Sequence, residues 1–144
     1  MITGYLLGVD VGTTSIKVAI INEKAQLLGM SSSSYKLIIP DQDSVQIDTE
    51  DMWRAYLKCI RLLKDGKGID LSKVVGISIS SLCPGLAALD ENGKVLVDPI
   101  IYSDRRSTEE AEIIKKVVGE DRLFEITAKY SYGRCDVRNI YALD

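Results

Sequence analysis

The chain has 144 residues, 46% hydrophobic and 27% charged, with a net charge of −3 and no histidine. Those values describe one ordinary folded domain. They exclude a disordered or fibrous chain, a strongly basic nucleic-acid footprint, and Ser–His or Cys–His catalysis within these residues. Three cysteines, Cys59, Cys83 and Cys135, are odd in number and widely spaced. They make no zinc-ligand pattern and are expected to be reduced thiols in a cytoplasmic protein. Residues 1–7 carry no basic side chain, so no signal peptide is expected. No apolar run nears the ~20 residues of a membrane-spanning helix.

In chain order, Tyr5-Leu6-Leu7-Gly8-Val9 reads as a strand buried on both faces, ending at Asp10. Residues 11–14 form a turn, and Ser15-Ile16-Lys17-Val18-Ala19-Ile20-Ile21 is the returning strand. A third strand is expected over residues 25–36, with the serine run 31–34 inside it. Together these make an antiparallel meander. Residues 40–48 read as a polar loop. From Thr49 a helix carries Trp53, Tyr56, Leu57, Ile60 and Leu63 on an apolar stripe, expected to be core, with Arg54, Lys58 and Arg61 on a wet face. Gly66 is the expected stop.

Val74-Val75-Gly76-Ile77-Ser78-Ile79-Ser80 predicts a second buried strand, reached by crossover. Asp90-Glu91-Asn92-Gly93 lies between two short apolar runs and predicts a hairpin with a type I′ turn. Residues 98–106 read as loop. Ser107-Thr108-Glu109-Glu110 is a capping-box pattern ahead of a helix ending near Gly119. A short helical stretch is expected over 121–127, a loop over 130–133, and a last helix from Asp136 that is only about two turns long by residue 144. The expected fold class is α/β, with a mixed sheet in which an antiparallel meander is followed by α/β units.

The chemistry concentrates at Asp10-Val11-Gly12-Thr13-Thr14-Ser15. Phosphoryl transfer needs positioning and charge neutralisation more than covalent chemistry. A carboxylate at a strand end can hold Mg²⁺, and a following Gly lets backbone approach a phosphate. Three hydroxyl residues then offer O–H and N–H donors. Turn chemistry alone explains Asp10 and Gly12 but not Thr13, Thr14 and Ser15 in a row. The segment is neither a P-loop nor a dinucleotide-binding loop, because it joins two strands. Lys17 reads as a solvated strand residue rather than a phosphate ligand.

This segment resembles the first phosphate motif of the FGGY carbohydrate kinases. Three later stretches follow that family's order: Gly76-Ile77-Ser78-Ile79-Ser80, Gly85 to Gly93, and Pro99-Ile100-Ile101-Tyr102-Ser103-Asp104-Arg105-Arg106. The resemblance spans most of residues 5–110. It implies a ribonuclease-H-like, actin-like ATPase fold, present here as an incomplete N-terminal portion without the C-terminal domain. It implies ATP and Mg²⁺ as cofactors, with Asp10 beside the metal and Thr13 and its neighbours facing the β- and γ-phosphates. Residues 81–85, with Cys83 and Pro84, and the stretch with Asp104 and Arg106 would line the sugar side. Tyr102 stands where the family usually has Trp. Ser81-Leu82-Cys83-Pro84 replaces the Gly-Gln-Met-His of xylulokinase-like members, and the Arg-Glu pair of glycerol kinases is absent too, so the resemblance does not name the sugar.

The family's catalytic base lies beyond residue 144, so the chain alone is expected to be inactive, with uncovered surface that would allow a homodimer. Two other readings stay open. One is a non-kinase ATPase of the actin/Hsp70-like fold; the other is a non-catalytic α/β binding module. Asp104 and Arg106 are also readable as a surface ion pair ahead of a helix, and Cys83 as a small buried apolar residue.

Overall fold

A computed structural model of the protein describes residues 4–128. In chain order the elements are β1 (Tyr5–Val11), β2 (Ser15–Ile21), β3 (Leu27–Ser34), β4 (Leu37–Ile38), β5 (Gln46–Ile47), α1 (Thr49–Arg61), β6 (Val74–Ser81), β7 (Gly85–Leu89), β8 (Val95–Ile101), α2 (Thr108–Val118) and α3 (Glu120–Thr127). They fall into two compact units, Met1–Lys36 with Asp48–Leu82, and Leu37–Ile47 with Cys83–Asp144. The expected loop at 130–133, the helix from Asp136 and Cys135 lie outside the described residues.

The first unit is a four-stranded sheet in the order β3-β2-β1-β6. β1, β2 and β3 form the antiparallel meander, and β6 lies parallel to β1, reached through α1. The mixed sheet therefore follows the expected layout. β2 alternates Ile16, Val18 and Ile20, all at 3% exposure or less, with exposed Lys17. This is the period-2 pattern of a half-buried strand. The register sets Val9 opposite Val18 and Leu7 opposite Ile20, so the buried side chains of both strands share one face. β1 is thus buried on one face and not on two: Leu7 and Val9 are covered, while Gly8 and Asp10 alternate with them and are exposed.

Helix α1 begins at Asp48, whose side chain accepts from Asp51 N at 2.9 Å, with Glu50 and Asp51 in the first turn and Lys58 and Arg61 in the last. A π-helical turn, Leu62–Gly66, extends it to the expected stop. Its buried face runs through Ala55, Cys59 and Leu63. Of the expected stripe, Leu63 is core and Tyr56, Leu57 and Ile60 are half-buried, so the correction falls on Trp53. Trp53 is 54% exposed, stacked on Tyr56 with ring centroids 5.2 Å apart. The helix packs on β2 and β3, where small Ala55 and Cys59 allow close approach. Gly29 of β3 keeps that contact close, because a Cβ there would lie 2.7 Å from Ile69 Cδ1 and 3.1 Å from Leu63 Cδ2 and those side chains would have to shift. Trp53 and Tyr56 are left at the rim of an apolar groove with Val9, Val11, Ile77 and Ile79.

β6 also departs from expectation. Val75, Ile77 and Ile79 are 57%, 59% and 67% exposed rather than buried. Among the described residues β6 pairs only with β1 and is an edge strand, and α1 covers the opposite half of the sheet. An apolar run marks a strand able to be buried; it does not supply the layer that buries it.

The second unit is an antiparallel sheet in the order β4-β5-β8-β7. The expected loop at 40–48 holds β5, and the expected loop from residue 98 is instead the second half of β8. Pro99 disguised that strand. It is tolerated because the β7–β8 register slips between Leu86 and Ala88, which places Pro99 at a bulge. The hairpin at 90–93 is present, but its turn is not type I′. Gly93 N donates to Asp90 O at 3.0 Å and only Gly93 of the turn has positive φ, at 79°. Asp90 Oδ1 accepts from Asn92 N and Lys94 N, which holds the longer loop closed. Helix α2 starts and stops where expected, yet Ser107 makes no side-chain capping bond; Thr108 N and Oγ1 instead bond Arg105 O. Ile47, Ile100 and Ile101 are the core of this unit, each 1% exposed or less.

Candidate active site

The turn between β1 and β2 gathers five of the sequence-predicted residues. Asp10 and Lys17 are direct cross-strand partners, with Lys17 Nζ 3.4 Å from Asp10 Oδ2 and both side chains more than half exposed, at 51% and 57%. Such a pair is loosely held, so Asp10 is open to another cation. Gly12 N donates to Ser15 O at 3.0 Å and closes the turn. A Cβ on Gly12 would sit 3.2 Å from that same oxygen, tighter than most real contacts, which accounts for glycine there. Thr14 is exposed, and Gly12, Thr13 and Ser15 are half-buried. Leu82 N donates to Val11 O at 2.9 Å, tying the end of β6 to the start of the turn.

Sequence reasoning missed Tyr35. It lies 5% exposed, just past β3. Its backbone N donates to Thr14 O at 3.0 Å, and its hydroxyl donates to Gly12 O. Burial, and then the negative charge of Asp10, push its hydroxyl above the usual tyrosine range. No motif marks it; the only signal was one aromatic residue directly after four serines.

The second unit holds the other predicted residues. Gly85 pairs with Ile101, and Asp104 N donates to Ile101 O at 2.9 Å, so the chain around Cys83 and Pro84 enters the sheet beside the Asp104 loop. Cys83 is exposed, not the small buried residue of the alternative reading, and Pro84 is half-buried. Asp104 is fully buried and Arg106 is 24% exposed at its side chain. Their contact is a fork: Arg106 Nη2 reaches Asp104 Oδ2 at 2.8 Å, and Nε reaches Oδ1 at 3.0 Å. Asp104 also accepts from Val45 N at 2.7 Å and Arg106 N at 3.1 Å. The surface-pair reading is therefore corrected. Asp104 is a saturated carboxylate that pins Val45 to the loop before α2, while Arg105 N donates to Asp43 O at 2.7 Å, and it has no lone pair left for a proton-transfer role.

Beside it Asp41 caps its own loop, accepting from Asp43 N, Ser44 N and Ser44 Oγ. The Asp43 N–H bond most of all, together with the Ser44 hydroxyl, holds the Asp41 carboxyl below its usual range, and the Arg106 charge adds to this. Among the described residues no group of three or more His, Cys, Asp or Glu side chains could hold a metal. No helix among them is long and apolar enough to cross a membrane.

The chain is 31% identical to a xylulose kinase of Staphylococcus xylosus over 124 residues, which is 85% of this chain and 25% of that protein. It is 32% identical to a glycerol kinase of Marinomonas sp. over 107 residues, covering 74% of this chain and 22% of the relative. The chain thus spans about a quarter of the length of the curated relatives it matches. The crystal structure of gluconate kinase from Lactobacillus acidophilus superposes with a TM-score of 0.74 over 84% of this chain and 24% of that one, at 24% identity, which establishes the shared fold. Residues 5–133 match the N-terminal domain of the FGGY family of carbohydrate kinases, and the chain belongs to that family.

Proposed function

We propose that this chain is the phosphate-binding N-terminal portion of an ATP-dependent carbohydrate kinase, which moves the γ-phosphoryl group of ATP to a hydroxyl of a sugar, polyol or sugar acid. The observation that carries the reading is the half-exposed Asp10 leading into a glycine turn with three hydroxyl residues, Thr13, Thr14 and Ser15, in a chain whose relatives are named as kinases.

In this reading the turn binds the phosphate tail of the nucleotide. Gly12 lets the backbone approach, and Thr13, Thr14 and Ser15 donate N–H and O–H groups to phosphate oxygens. Asp10 is the one residue here suited to Mg²⁺. A lone carboxylate fits that ion, which keeps several waters and takes its other ligands from phosphate. The metal, when bound, would supply neutralisation of phosphate charge. On the acceptor side, Asp104 fixes the Arg106 guanidinium, which with Cys83 and Pro84 would border the sugar. The base that takes the hydroxyl proton, the adenine site and the second domain would come from residues outside this chain.

The test is ADP release with Mg-ATP from the longest reading frame containing this chain, across polyols, ketoses, aldoses and aldonates, with the 144-residue chain in parallel. The expected result is stimulation of the long form by one acceptor and silence of the short form. ATP hydrolysis indifferent to every acceptor would point instead to a non-kinase ATPase of the same fold. No nucleotide effect of any kind would leave a binding module.

A further inference from the structure

Every residue so far given to the phosphate turn lies within the turn itself. Its conformation, however, is held from outside. Tyr35 reaches both ends of the three-residue connection, bonding Gly12 O with its hydroxyl and Thr14 O with its backbone N–H. The peptide geometry gives the first bond a consequence. In a planar trans peptide the C=O of one residue and the N–H of the next point in opposite directions. The Gly12–Thr13 bond is not among the cis bonds, so fixing Gly12 C=O toward Tyr35 aims Thr13 N–H the other way. Gly12 has the backbone freedom to let this peptide rotate, and the bond from Gly12 N to Ser15 O holds the preceding Val11–Gly12 peptide rather than this one.

We infer that Tyr35 is a positioning residue of the phosphate turn: its hydroxyl, by holding the Gly12 carbonyl, orients the Thr13 N–H toward the bound phosphate. The inference rests on the phosphate-binding reading of this turn. A donor oriented before the ligand arrives costs nothing to align at binding, whereas a freely rotating peptide must be ordered then. Tyr35 is suited to the task. It is buried, so the bond is not exchanged with water, and its hydroxyl keeps its proton because burial and the nearby Asp10 both disfavour the phenolate. The ring never needs to touch the nucleotide.

The experiment uses the 144-residue chain, ¹⁵N-labelled, titrated with Mg²⁺ and inorganic tripolyphosphate, and reads the Thr13 amide resonance. Tyr35→Phe and Tyr35→4-aminophenylalanine are compared with wild type, with thermal unfolding of each recorded first. Phe keeps the ring and loses the donor; the arylamine restores an N–H that can reach Gly12 O. The expected result is that Phe weakens tripolyphosphate binding about five- to tenfold and reduces the Thr13 response, and that the arylamine restores both. If Phe does not fold, the folded arylamine variant decides: wild-type binding supports the role and lost binding overturns it. Equal binding by wild type and a folded Phe variant overturns the role of Tyr35 and leaves the phosphate turn standing. A wild-type chain whose Thr13 amide ignores tripolyphosphate, and whose Asp10→Asn and Thr13→Ala variants behave likewise, overturns the phosphate reading and the Tyr35 role together.

Discussion

Asp10 and Asp104 are both strand-end or post-strand carboxylates beside a basic partner, and the fold treats them oppositely. Asp10 is half exposed and shares one long contact with Lys17. Asp104 is fully buried, with its two oxygens shared among Val45 N, Arg106 N and the Arg106 guanidinium. A carboxylate at an open turn can be lent to a ligand, because water and a mobile lysine are easily displaced. A carboxylate sealed under its donors cannot, because removing any one of them leaves a buried polar group unmet. The same residue type is therefore left open in the first unit and made a structural hub in the second.

This contrast breaks most visibly at Asp104. Asp104→Ala should destabilise the second unit by about 3–5 kcal/mol, since it strands a partly buried guanidinium and two backbone N–H groups. Urea unfolding and limited proteolysis of residues 83–128 would measure it, and a loss under about 1 kcal/mol would mean that the fork is dispensable. Leu63→Ala in the first unit should cost about 2–5 kcal/mol, because Leu63 is 0% exposed under β3. Trp53→Ala, on the stripe that the periodicity marks as core, should cost much less than Leu63→Ala; equal losses in the same urea titration would show that the groove beside Trp53 is closed in solution.

Smaller effects depend on pH. The raised pKa of Tyr35 favours its neutral form in the fold, so its contribution of about 1 kcal/mol is present below pH 10 and disappears as pH rises through the folded value. Stability of wild type and Tyr35→Phe measured from pH 7 to pH 11 should therefore converge at the alkaline end. Asp41 has the opposite sign. Its lowered pKa favours the charged form in the fold, so its contribution is present above the ordinary carboxylate range and fades as pH falls through the folded value. Wild type should exceed Asp41→Asn at pH 7 and match it in acid; a gap that persists in acid would mean the loop is held without that charge. Lys17→Ala should change stability least, by no more than about half a kcal/mol, as an exposed cross-strand partner.

The elements most legible in the sequence were those with local causes. β2 was bounded to the residue by its β-rich run, the start of α1 at Thr49 by the polar loop before it, and α2 by Gly119, whose φ of 87° ends the helix. The turn proposed to bind phosphate was legible for the same reason: Asp10 to Ser15 are contiguous, and their chemistry is readable without knowing what packs on them. Pro99 hid half of β8 because a proline argues against a central strand unless a bulge receives it, and the bulge is a property of the β7–β8 pairing. Tyr35 and Val45 were invisible because their partners lie 23 and 59 residues away.

By itself the sequence determined the strand–turn–strand motif, the crossover helix and the membership of the FGGY family, since period, caps and contiguous motifs are encoded in neighbouring residues. Tertiary structure alone decided which face of α1 is core, that β6 is left as an exposed edge among the described residues, and that Asp104 is sealed while Asp10 stays open. Those outcomes depend on which layers meet and on how small Gly29, Ala55 and Cys59 let them come together, and no local pattern carries that information.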